Sequence, residues 1–244
     1  MKEFLKLLNE SRLTVVLTGA GISTPSGIPD FRGPQGIYRK YPQNVFDIDF
    51  FYSHPEKFYE FAKEGIFPML DANPNPAHVL LAKLEERGLI EAVITQNIDR
   101  LHQKAGSRKV VELHGNVEEY YCTKCGKEYT VKDVMKKLEK ASVPRCDDCS
   151  GLIRPNIVFF GEALPQNALN EAIRLSSKAG LMIVMGSSLV VYPAAELPLI
   201  TVRGGGKLVI VNMGETPLDG LATLKYNKDV VEFANNVMKE GGIS

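Results

Sequence analysis

The chain has 244 residues, of which 44% are hydrophobic and 24% charged, a balance typical of one folded domain or one domain with an insertion. Lysine plus arginine number 29, as do aspartate plus glutamate, so the formal net charge is zero. These values exclude a disordered or fibrous chain and argue against a basic nucleic-acid-binding protein or a polybasic membrane anchor. No apolar run reaches the roughly 20 residues of a membrane span, and the charged N-terminus differs from a secretory signal. A cytoplasmic protein without membrane or nucleic-acid partners is therefore expected.

Five short apolar runs occur along the sequence, and most of them do not alternate with polar residues. They cover residues 13–17, 89–94, 157–160, 181–185 and 208–211. Such runs are typical of strands buried on both faces, as in a parallel sheet covered by helices. Amphipathic helical patterns lie between them, at residues 76–87, 167–177 and 230–238. The alternation predicts right-handed βαβ units in a doubly wound α/β fold.

Two segments interrupt this alternation of strands and helices. Residues 45–70 contain eight phenylalanine or tyrosine residues, which predicts a small helical cluster packed through its aromatic side chains. Residues 118–154 contain all four cysteines, with the pattern of a short helix between them. We interpret both segments as insertions that together build a smaller unit. The predicted large part then comprises residues 1–44, 71–117 and 155–244.

The four cysteines form two CxxC pairs with twenty residues between the pairs. They are Cys122, Cys125, Cys146 and Cys149. Each pair can offer two thiolates from a tight turn, and four thiolates satisfy tetrahedral zinc. A thioredoxin-like redox pair is the alternative for a single CxxC, but two pairs at this spacing favour a metal. Because four cysteines leave no open position for substrate or water, we expect a structural zinc ion.

A glycine-rich turn directly follows the first predicted strand, in residues 18–24. Glycines at such a point allow a tight turn and close approach of the backbone to a phosphate. The pattern is GxGxx, with Thr24 where a dinucleotide fingerprint has its third glycine, so a turn without a ligand is an equally good interpretation of this motif alone. A second small-residue turn at residues 186–188 and a strand that ends at Asn212, with Glu215 nearby, favour a dinucleotide at this sheet edge.

His114 is a candidate general base because imidazole titrates near neutral pH. It follows the mostly apolar residues 110–113 and precedes Gly115, which places it at the end of a predicted strand. A single histidine is more often structural, so position alone leaves both interpretations open. The remaining histidines are interpreted as structural or surface residues: His54, His78 and His102.

Several blocks of the sequence, taken in order, resemble the sirtuin family of NAD-dependent protein deacylases. The matching blocks are GAGIS at 19–23, GIPDFR at 27–32, TQNID at 95–99, LHG at 113–115, the two CxxC pairs, PNIVFFGE at 155–162 and GSSL at 186–189. They span nearly the whole chain, which is similar to thermophilic bacterial members. The resemblance implies a Rossmann-type large domain, a small zinc-binding domain, and a cleft between them where NAD and an acyl-lysine peptide meet.

The implied activity is removal of acetyl groups from protein lysines, with NAD consumed as co-substrate. Nicotinamide and O-acetyl-ADP-ribose are the expected products, and nicotinamide is also an expected inhibitor. In this family the acyl oxygen attacks the ribose carbon that nicotinamide vacates, so a base must accept a ribose hydroxyl proton. The resemblance assigns that base to His114.

The block at residues 95–99 is expected to form the nicotinamide pocket. By resemblance, Gln96 contacts the nicotinamide ribose, while Asn97 orders the pocket and a water molecule. Asp99 and the Ile98 backbone hold the nicotinamide carboxamide, an amide that needs both a donor and an acceptor. The structural alternative is that Asn97 and Asp99 cap the helix that follows.

The loop after the glycine-rich turn is expected to close over the cofactor. By resemblance, Phe31 covers the reacting ribose, and Arg32 binds a phosphate through its forked guanidinium. The remaining expected NAD contacts are Gly19, Ala20, Gly21, Thr24, Asp30, Gly186, Ser187, Ser188, Asn212, Gly214, Glu215 and Asp229.

Two segments resemble the edges between which the substrate peptide is held through its backbone. The expected peptide contacts are Val158, Phe160, Gly161, Glu162, Leu189 and Val191. Val158, Phe160 and Phe31 are expected to line an apolar tunnel for the acyl-lysine stem. Ordinary core packing is the alternative for these apolar residues.

One departure from a branch of the family informs the acyl preference. The desuccinylase branch carries a tyrosine and an arginine where Ala62 and Gly65 stand here. Neither residue can bind a carboxylate, so we expect acetyl groups to be preferred over succinyl groups. Three other functions are alternatives. Mono-ADP-ribosylation would use the same pocket. The absence of a basic stripe disfavours a zinc-ribbon binding module, and the incomplete glycine fingerprint disfavours a nicotinamide dehydrogenase.

Overall fold

A computed structural model of the chain describes residues 1–30, 36 and 40–243. Nine strands and nine α-helices lie within these described ranges. The strands are β1 Thr14–Thr18, β2 Ala92–Thr95, β3 Val110–Glu112, β4 Gly115–Cys122, β5 Glu128–Thr130, β6 Ile153–Ile157, β7 Leu181–Met185, β8 Lys207–Val211 and β9 Leu224–Tyr226. The helices are α1 Lys2–Glu10, α2 Ile48–Ser53, α3 Pro55–Gly65, α4 Pro76–Glu86, α5 Leu101–Lys104, α6 Val131–Leu138, α7 Gln166–Lys178, α8 Leu197–Arg203 and α9 Val230–Gly241.

Six strands form one parallel sheet in the order β3-β2-β1-β7-β8-β9. The central strand β1 pairs with β2 on one side and with β7 on the other, so that Val15 lies opposite both Ala92 and Met182. The strand order reverses between β1 and β7, which is the switch point of a Rossmann-type sheet. Loops at the carboxyl ends of these two strands therefore form the crevice in which open α/β sheets bind ligands.

The continuous apolar runs are explained by helices on both faces of this sheet. Val16 packs in one core with Phe4 of α1 and Phe233 of α9, whereas its neighbours Val15 and Leu17 pack in a second core on the opposite face. Successive residues of a strand point to opposite faces, so both must be apolar when both faces are covered. The doubly wound parallel sheet that the sequence predicts is confirmed.

The prediction of a buried parallel strand at residues 157–160 is wrong. The strand in this region is β6, which ends at Ile157 and pairs antiparallel with β4 in a separate sheet. The apolar run continues because Phe159 is fully buried against the rings of Phe51 and Phe58, with centroids 4.9 and 5.2 Å away. Aromatic burial, rather than pairing in the large sheet, explains this part of the pattern.

A three-stranded antiparallel sheet, in the order β5-β4-β6, carries the cysteines. Helices α2, α3 and α6 share a core with it, in which Tyr59 of α3 donates a hydrogen bond to the carbonyl oxygen of Ile153. Helix α6 begins with a capping box between Thr130 and Asp133. The aromatic helical cluster and the helix between the cysteine pairs thus exist as predicted.

The helices of the described residues are short or carry charged side chains. None of them combines the length and the apolar character required to cross a membrane.

Candidate functional site

The two small-residue turns meet at the switch point of the sheet. The Gly21 N–H donates to the carbonyl oxygen of Gly186 at 2.9 Å. A Cβ on Gly21 would lie 2.8 Å from that same oxygen, and one on Gly186, whose φ is +63°, would lie 2.3 Å from the backbone nitrogen of Ile22. Glycine is therefore required at both positions because the two backbones touch. This close packing brings the loops after β1 and β7 together.

Gln96 joins the ends of three neighbouring strands. Its backbone N–H donates to the Thr18 carbonyl oxygen at 3.0 Å, and its side-chain Nε2 donates to Ser187 Oγ at 3.1 Å. Gln96 follows β2, while Thr18 ends β1 and Ser187 follows β7. The residues expected to contact NAD in these three loops are therefore brought together by the fold.

His114 lies between the end of β3 and the start of β4, beside Gln96. Its Nδ1 is 2.8 Å from the backbone carbonyl oxygen of Gln96. A carbonyl oxygen only accepts hydrogen bonds, so Nδ1 carries the proton and the neutral ring leaves its lone pair on Nε2. Burial lowers the pKa of His114 below its ordinary value, although the bond to Gln96 opposes that shift. The ring is thus suited to accept a proton near neutral pH.

Asp99 is a buried carboxylate with several hydrogen-bond donors around it. Ser23 Oγ donates to Oδ2 at 2.7 Å, and the Leu101 N–H donates to Oδ1 at 2.9 Å. Asn97 Nδ2 donates to the same Ser23 hydroxyl at 3.1 Å. Burial raises the pKa of Asp99, and these hydrogen bonds work against the shift. Asp99 thus accepts a hydrogen bond from the first residue of α5, although the N-cap position is Arg100, whereas Asn97 contacts the turn after β1 and not the helix.

Beneath this carboxylate lies a buried polar network that sequence reasoning did not find. His78 Nε2 is 3.4 Å from Ser23 Oγ, and the ring of His78 packs edge-on against the ring of His102 at 4.9 Å. His102 Nε2 is 2.9 Å from Thr18 Oγ1. Both imidazoles are buried and His54 is exposed, as the structural or surface interpretation predicts. The only sequence signal is Ser23 within the GAGIS block.

The other expected NAD contacts lie further out on the same sheet edge. Thr24 and Ser188 are exposed, and Asp30 is half-buried. Asn212 Nδ2 donates to the carbonyl oxygen of Gly214 at 3.0 Å, which orders the loop after β8, and Glu215 is exposed. Asp229 caps α9 by accepting bonds from two backbone N–H groups of the first turn. Phe31 and Arg32 lie outside the described residues.

The segment after β6 is held by backbone hydrogen bonds on one side. The Val158 N–H donates to the carbonyl oxygen of His114 at 3.0 Å, and Phe160 exchanges bonds with Phe46 and Ile48. Gly161 has φ +93°. Among the described residues, neither its N–H nor its carbonyl oxygen has a hydrogen-bond partner.

The expected peptide contacts differ in how far they reach the surface. The Phe160 side chain is 45% exposed, whereas Leu189 is buried in the core with φ +54°. Val158, Glu162 and Val191 are half-buried, and Gly161 is exposed. Leu189 is thus almost fully enclosed, and its N–H already donates to Ser187 Oγ at 3.3 Å.

The four cysteine sulfur atoms form one compact cluster. All lie within 4.8 Å of one another, with Cys122 and Cys149 3.4 Å apart and Cys125 and Cys146 3.6 Å apart. Zinc–sulfur bonds of about 2.3 Å in a tetrahedron require sulfur atoms about 3.8 Å apart, so the cluster fits zinc. Tyr129 Oη donates to Cys146 Sγ at 3.2 Å, an outer hydrogen bond of the kind that orients metal ligands.

Comparison with known proteins gives consistent matches over the chain. The family model described as Sir2 family matches residues 19–193. The chain is 83% identical to an NAD-dependent protein deacetylase of Thermotoga maritima over 244 residues, covering 100% of this chain and 99% of the relative. It is 48% identical to NAD-dependent protein deacetylase 1 of Pyrobaculum aerophilum over 222 residues, which covers 91% of this chain and 87% of that relative. A solved structure of Sir2 with a p53 peptide and NAD+ is 81% identical, with a TM-score of 0.97 and coverage of 100% and 99%.

Proposed function

This chain belongs to the Sir2 family, and we propose that it is an NAD-dependent protein-lysine deacetylase. It removes acetyl groups from lysine side chains, consumes NAD, and releases nicotinamide and O-acetyl-ADP-ribose. The observation that carries this function is the position of His114 at the joined carboxyl ends of the parallel strands, with no hydrogen-bond partner of its Nε2 among the described residues. The similar Thermotoga deacetylase and the Sir2 complex with peptide and NAD+ support the same chemistry.

NAD binds at the switch point of the parallel sheet. The interlocked turns around Gly21 and Gly186 present backbone groups at the strand ends, where a pyrophosphate is expected. In this proposal Gln96 contacts the ribose next to nicotinamide, and Asp99 accepts a hydrogen bond from the nicotinamide carboxamide. Asn212 and Glu215 are at the edge where the second ribose is expected.

His114 acts as the general base. The Gln96 carbonyl oxygen holds Nδ1–H, so that Nε2 is the atom that accepts the proton of a ribose hydroxyl. Burial keeps the ring neutral at pH 7 because it lowers the pKa below the ordinary value. Asn97, bonded to Ser23, is placed to order a water molecule in the same pocket.

The peptide binds through its backbone beside the segment after β6. Gly161 offers an N–H and a carbonyl oxygen without partners in the described chain, which is what an added strand requires. The exposed Phe160 ring and Val158 are suited to the apolar stem of acetyl-lysine. Residues 189–191 form the expected opposite edge.

Zinc has a structural role at the four cysteines. When bound, it crosslinks the turn after β4 to the turn before β6, and its four thiolate ligands leave no position for substrate. The two-part division of the chain that the sequence predicts is part of this proposal. A cytosolic location is proposed as well, since thiolate zinc sites are typical of reducing compartments.

The proposed acyl preference is for acetyl over succinyl groups. Ala62 is fully buried in the core of the small unit, and Gly65 ends α3. Neither supplies a hydroxyl or a cation for a succinyl carboxylate. Comparable rates on acetyl-lysine and succinyl-lysine peptides would contradict this preference.

The test is mass spectrometry of an acetyl-lysine peptide incubated with the protein, with and without NAD, beside a His114→Tyr variant. Deacetylated peptide and O-acetyl-ADP-ribose are expected only with NAD and only with His114 intact. A peptide that instead gains ADP-ribose would identify a transferase. An intact peptide with unconsumed NAD would refute the proposed function.

A further inference from the structure

Arg154 is a buried cation that the deacetylase chemistry does not use. It lies in β6, and only 4% of its surface is exposed. A guanidinium loses several kcal/mol of hydration on burial unless its donors are paired. Arginine is therefore almost never buried without specific partners. The groups that Arg154 contacts therefore indicate why this cation is buried.

Arg154 forms a two-pronged pair with Glu162. Nη1 donates to Oε1 and Nη2 donates to Oε2, both at 2.7 Å, in the parallel geometry that makes arginine–carboxylate pairs strong. Nη2 also donates to the carbonyl oxygen of Ile157 at 2.9 Å. Burial alone would raise the pKa of Glu162, but the guanidinium holds that pKa below its ordinary value. The carboxylate is therefore charged while it is held.

Glu162, whose carboxylate is held by Arg154, is also hydrogen-bonded to the backbone of the proposed peptide-binding segment. Its Oε2 accepts from the Phe159 N–H at 2.9 Å, and its own N–H donates to the Phe159 carbonyl oxygen at 3.1 Å. These bonds close a turn over residues 159–162. Gly161 lies inside that turn, and its N–H and carbonyl oxygen have no partner in residues 1–30, 36 and 40–243.

Three aromatic rings enclose the guanidinium. Cζ of Arg154 lies 5.0 Å from the ring centroid of Phe159, 5.5 Å from that of Tyr121 and 6.0 Å from that of Phe51. These cation–π contacts are strengthened by desolvation. They fix the guanidinium against β4 and α2, so the segment is anchored to the core of the small sheet.

We propose that Arg154, acting through Glu162, is a positioning residue that sets the backbone of residues 158–162 for the acetyl-lysine peptide. The inference rests on the proposed function and adds to it the group that shapes one wall of the peptide site. Arg154 does not touch the substrate in this account. It orients Gly161 by holding the turn closed.

The test compares Arg154→Lys and Arg154→Met with wild type. Lysine keeps the cation but lacks the fork, and methionine removes both. Peptide affinity is measured by fluorescence anisotropy of a labelled acetyl-lysine peptide, because the chain has no tryptophan. ADP-ribose affinity is measured by calorimetry. Arg174→Met is the matched control, since Arg174 makes a similar two-pronged pair with Glu171 on the exposed helix α7.

The peptide Kd is expected to rise about fivefold for the lysine variant and about tenfold for the methionine variant, as the loss of one or two peptide hydrogen bonds implies. The ADP-ribose Kd and the kcat at saturating peptide should stay within about twofold, the pattern for loss of uniform substrate binding. The control should change none of these values.

Unchanged peptide affinity in the variants would overturn the inference while leaving the proposed function intact. Equal losses of peptide and ADP-ribose affinity would also overturn it, because they would indicate general disruption. If the methionine variant does not fold, the lysine variant decides alone. A wild-type protein that binds no acetyl-lysine peptide would refute the proposed function and the inference together.

Discussion

At the scale of single residues, the site depends on which atom of each side chain is already occupied. Nδ1 of His114 donates to the Gln96 carbonyl oxygen. The two carboxylate oxygens of Asp99 accept from the Ser23 hydroxyl and from the Leu101 N–H. Within the part of the chain that the structure describes, the atoms left without a partner are therefore Nε2 of the imidazole and the remaining lone pairs of the carboxylate. These two free groups lead to different kinetic predictions.

Replacement of His114 by asparagine should lower kcat about 10²- to 10⁴-fold, the contribution of general-base catalysis. The wild-type rate should fall as the pH drops through the pKa of His114, which lies below 6.5, because only the neutral ring accepts a proton. Rates measured from pH 5 to 9 test both statements. An inflection above pH 7, or ADP-ribose affinity lost together with the rate, would contradict this role.

Replacement of Asp99 by asparagine should raise the KM for NAD roughly 10-fold or more, since a charged hydrogen bond to the carboxamide is lost. Inhibition by nicotinamide should weaken in parallel. Asp133→Asn is the control, because Asp133 likewise accepts hydrogen bonds from its own helix turn but lies on the small unit. An unchanged nicotinamide inhibition constant would show that Asp99 only caps α5.

At the scale of elements, α4 and α5 are joined to β1 through two neutral histidines. The ring of His78 in α4 packs edge-on against that of His102 in α5, and His102 Nε2 lies 2.9 Å from Thr18 Oγ1 at the end of β1. Burial lowers the pKa of His78 to about 4 and that of His102 well below 6.5. Protonation of either ring would place a charge in this interior. The stability of the contact therefore depends on pH.

The free energy of unfolding should decrease as the pH falls from 6.5 towards 4. In this window the unfolded histidines bind protons and the folded ones do not, so the unfolded state gains stability. The loss assigned to His78 alone approaches about 3 kcal/mol at pH 4. Denaturant unfolding at several pH values measures it. His78→Gln should flatten the slope, whereas the exposed-site variant His54→Asn should not; equal slopes in all three proteins would contradict the prediction.

At the scale of the whole molecule, the proposed base His114 lies at the junction of the two sheets. His114 separates β3 of the parallel sheet from β4 of the antiparallel sheet, and Gly115 follows it with φ +71°. A Cβ at Gly115 would lie 1.9 Å from the Asn156 carbonyl oxygen, so the junction packs directly against β6. The proposed cofactor contacts thus follow strands of the parallel sheet, whereas the proposed peptide segment 158–162 follows β6 of the other sheet.

Zinc removal should therefore separate the two binding functions. A chelator should weaken acetyl-lysine peptide binding far more than ADP-ribose binding, because the cysteines organise the sheet that ends in the peptide segment. Anisotropy and calorimetry measure the two affinities before and after chelation, and zinc is added back as control. Equal losses of both affinities would mean that the parallel sheet also depends on zinc.

The sequence by itself determined the elements and the chemistry that are encoded within short stretches. Apolar runs without alternation indicated strands covered on both faces, and the spacing of Cys122, Cys125, Cys146 and Cys149 indicated one closed metal site. The GAGIS, TQNID and LHG blocks indicated the family. These patterns involve residues that are close together in the sequence, so they can be recognised without knowledge of the tertiary structure.

Only the tertiary structure decided the contacts between distant residues. It placed the run at 157–160 outside the parallel sheet, because Phe159 is buried among aromatic rings. It joined Ser23 to Asp99, 76 positions apart, and put two buried histidines beneath them. It also paired the buried Arg154 with Glu162, which lies in the turn after β6. The order and packing of the strands set these contacts, and no local pattern of residues encodes that order.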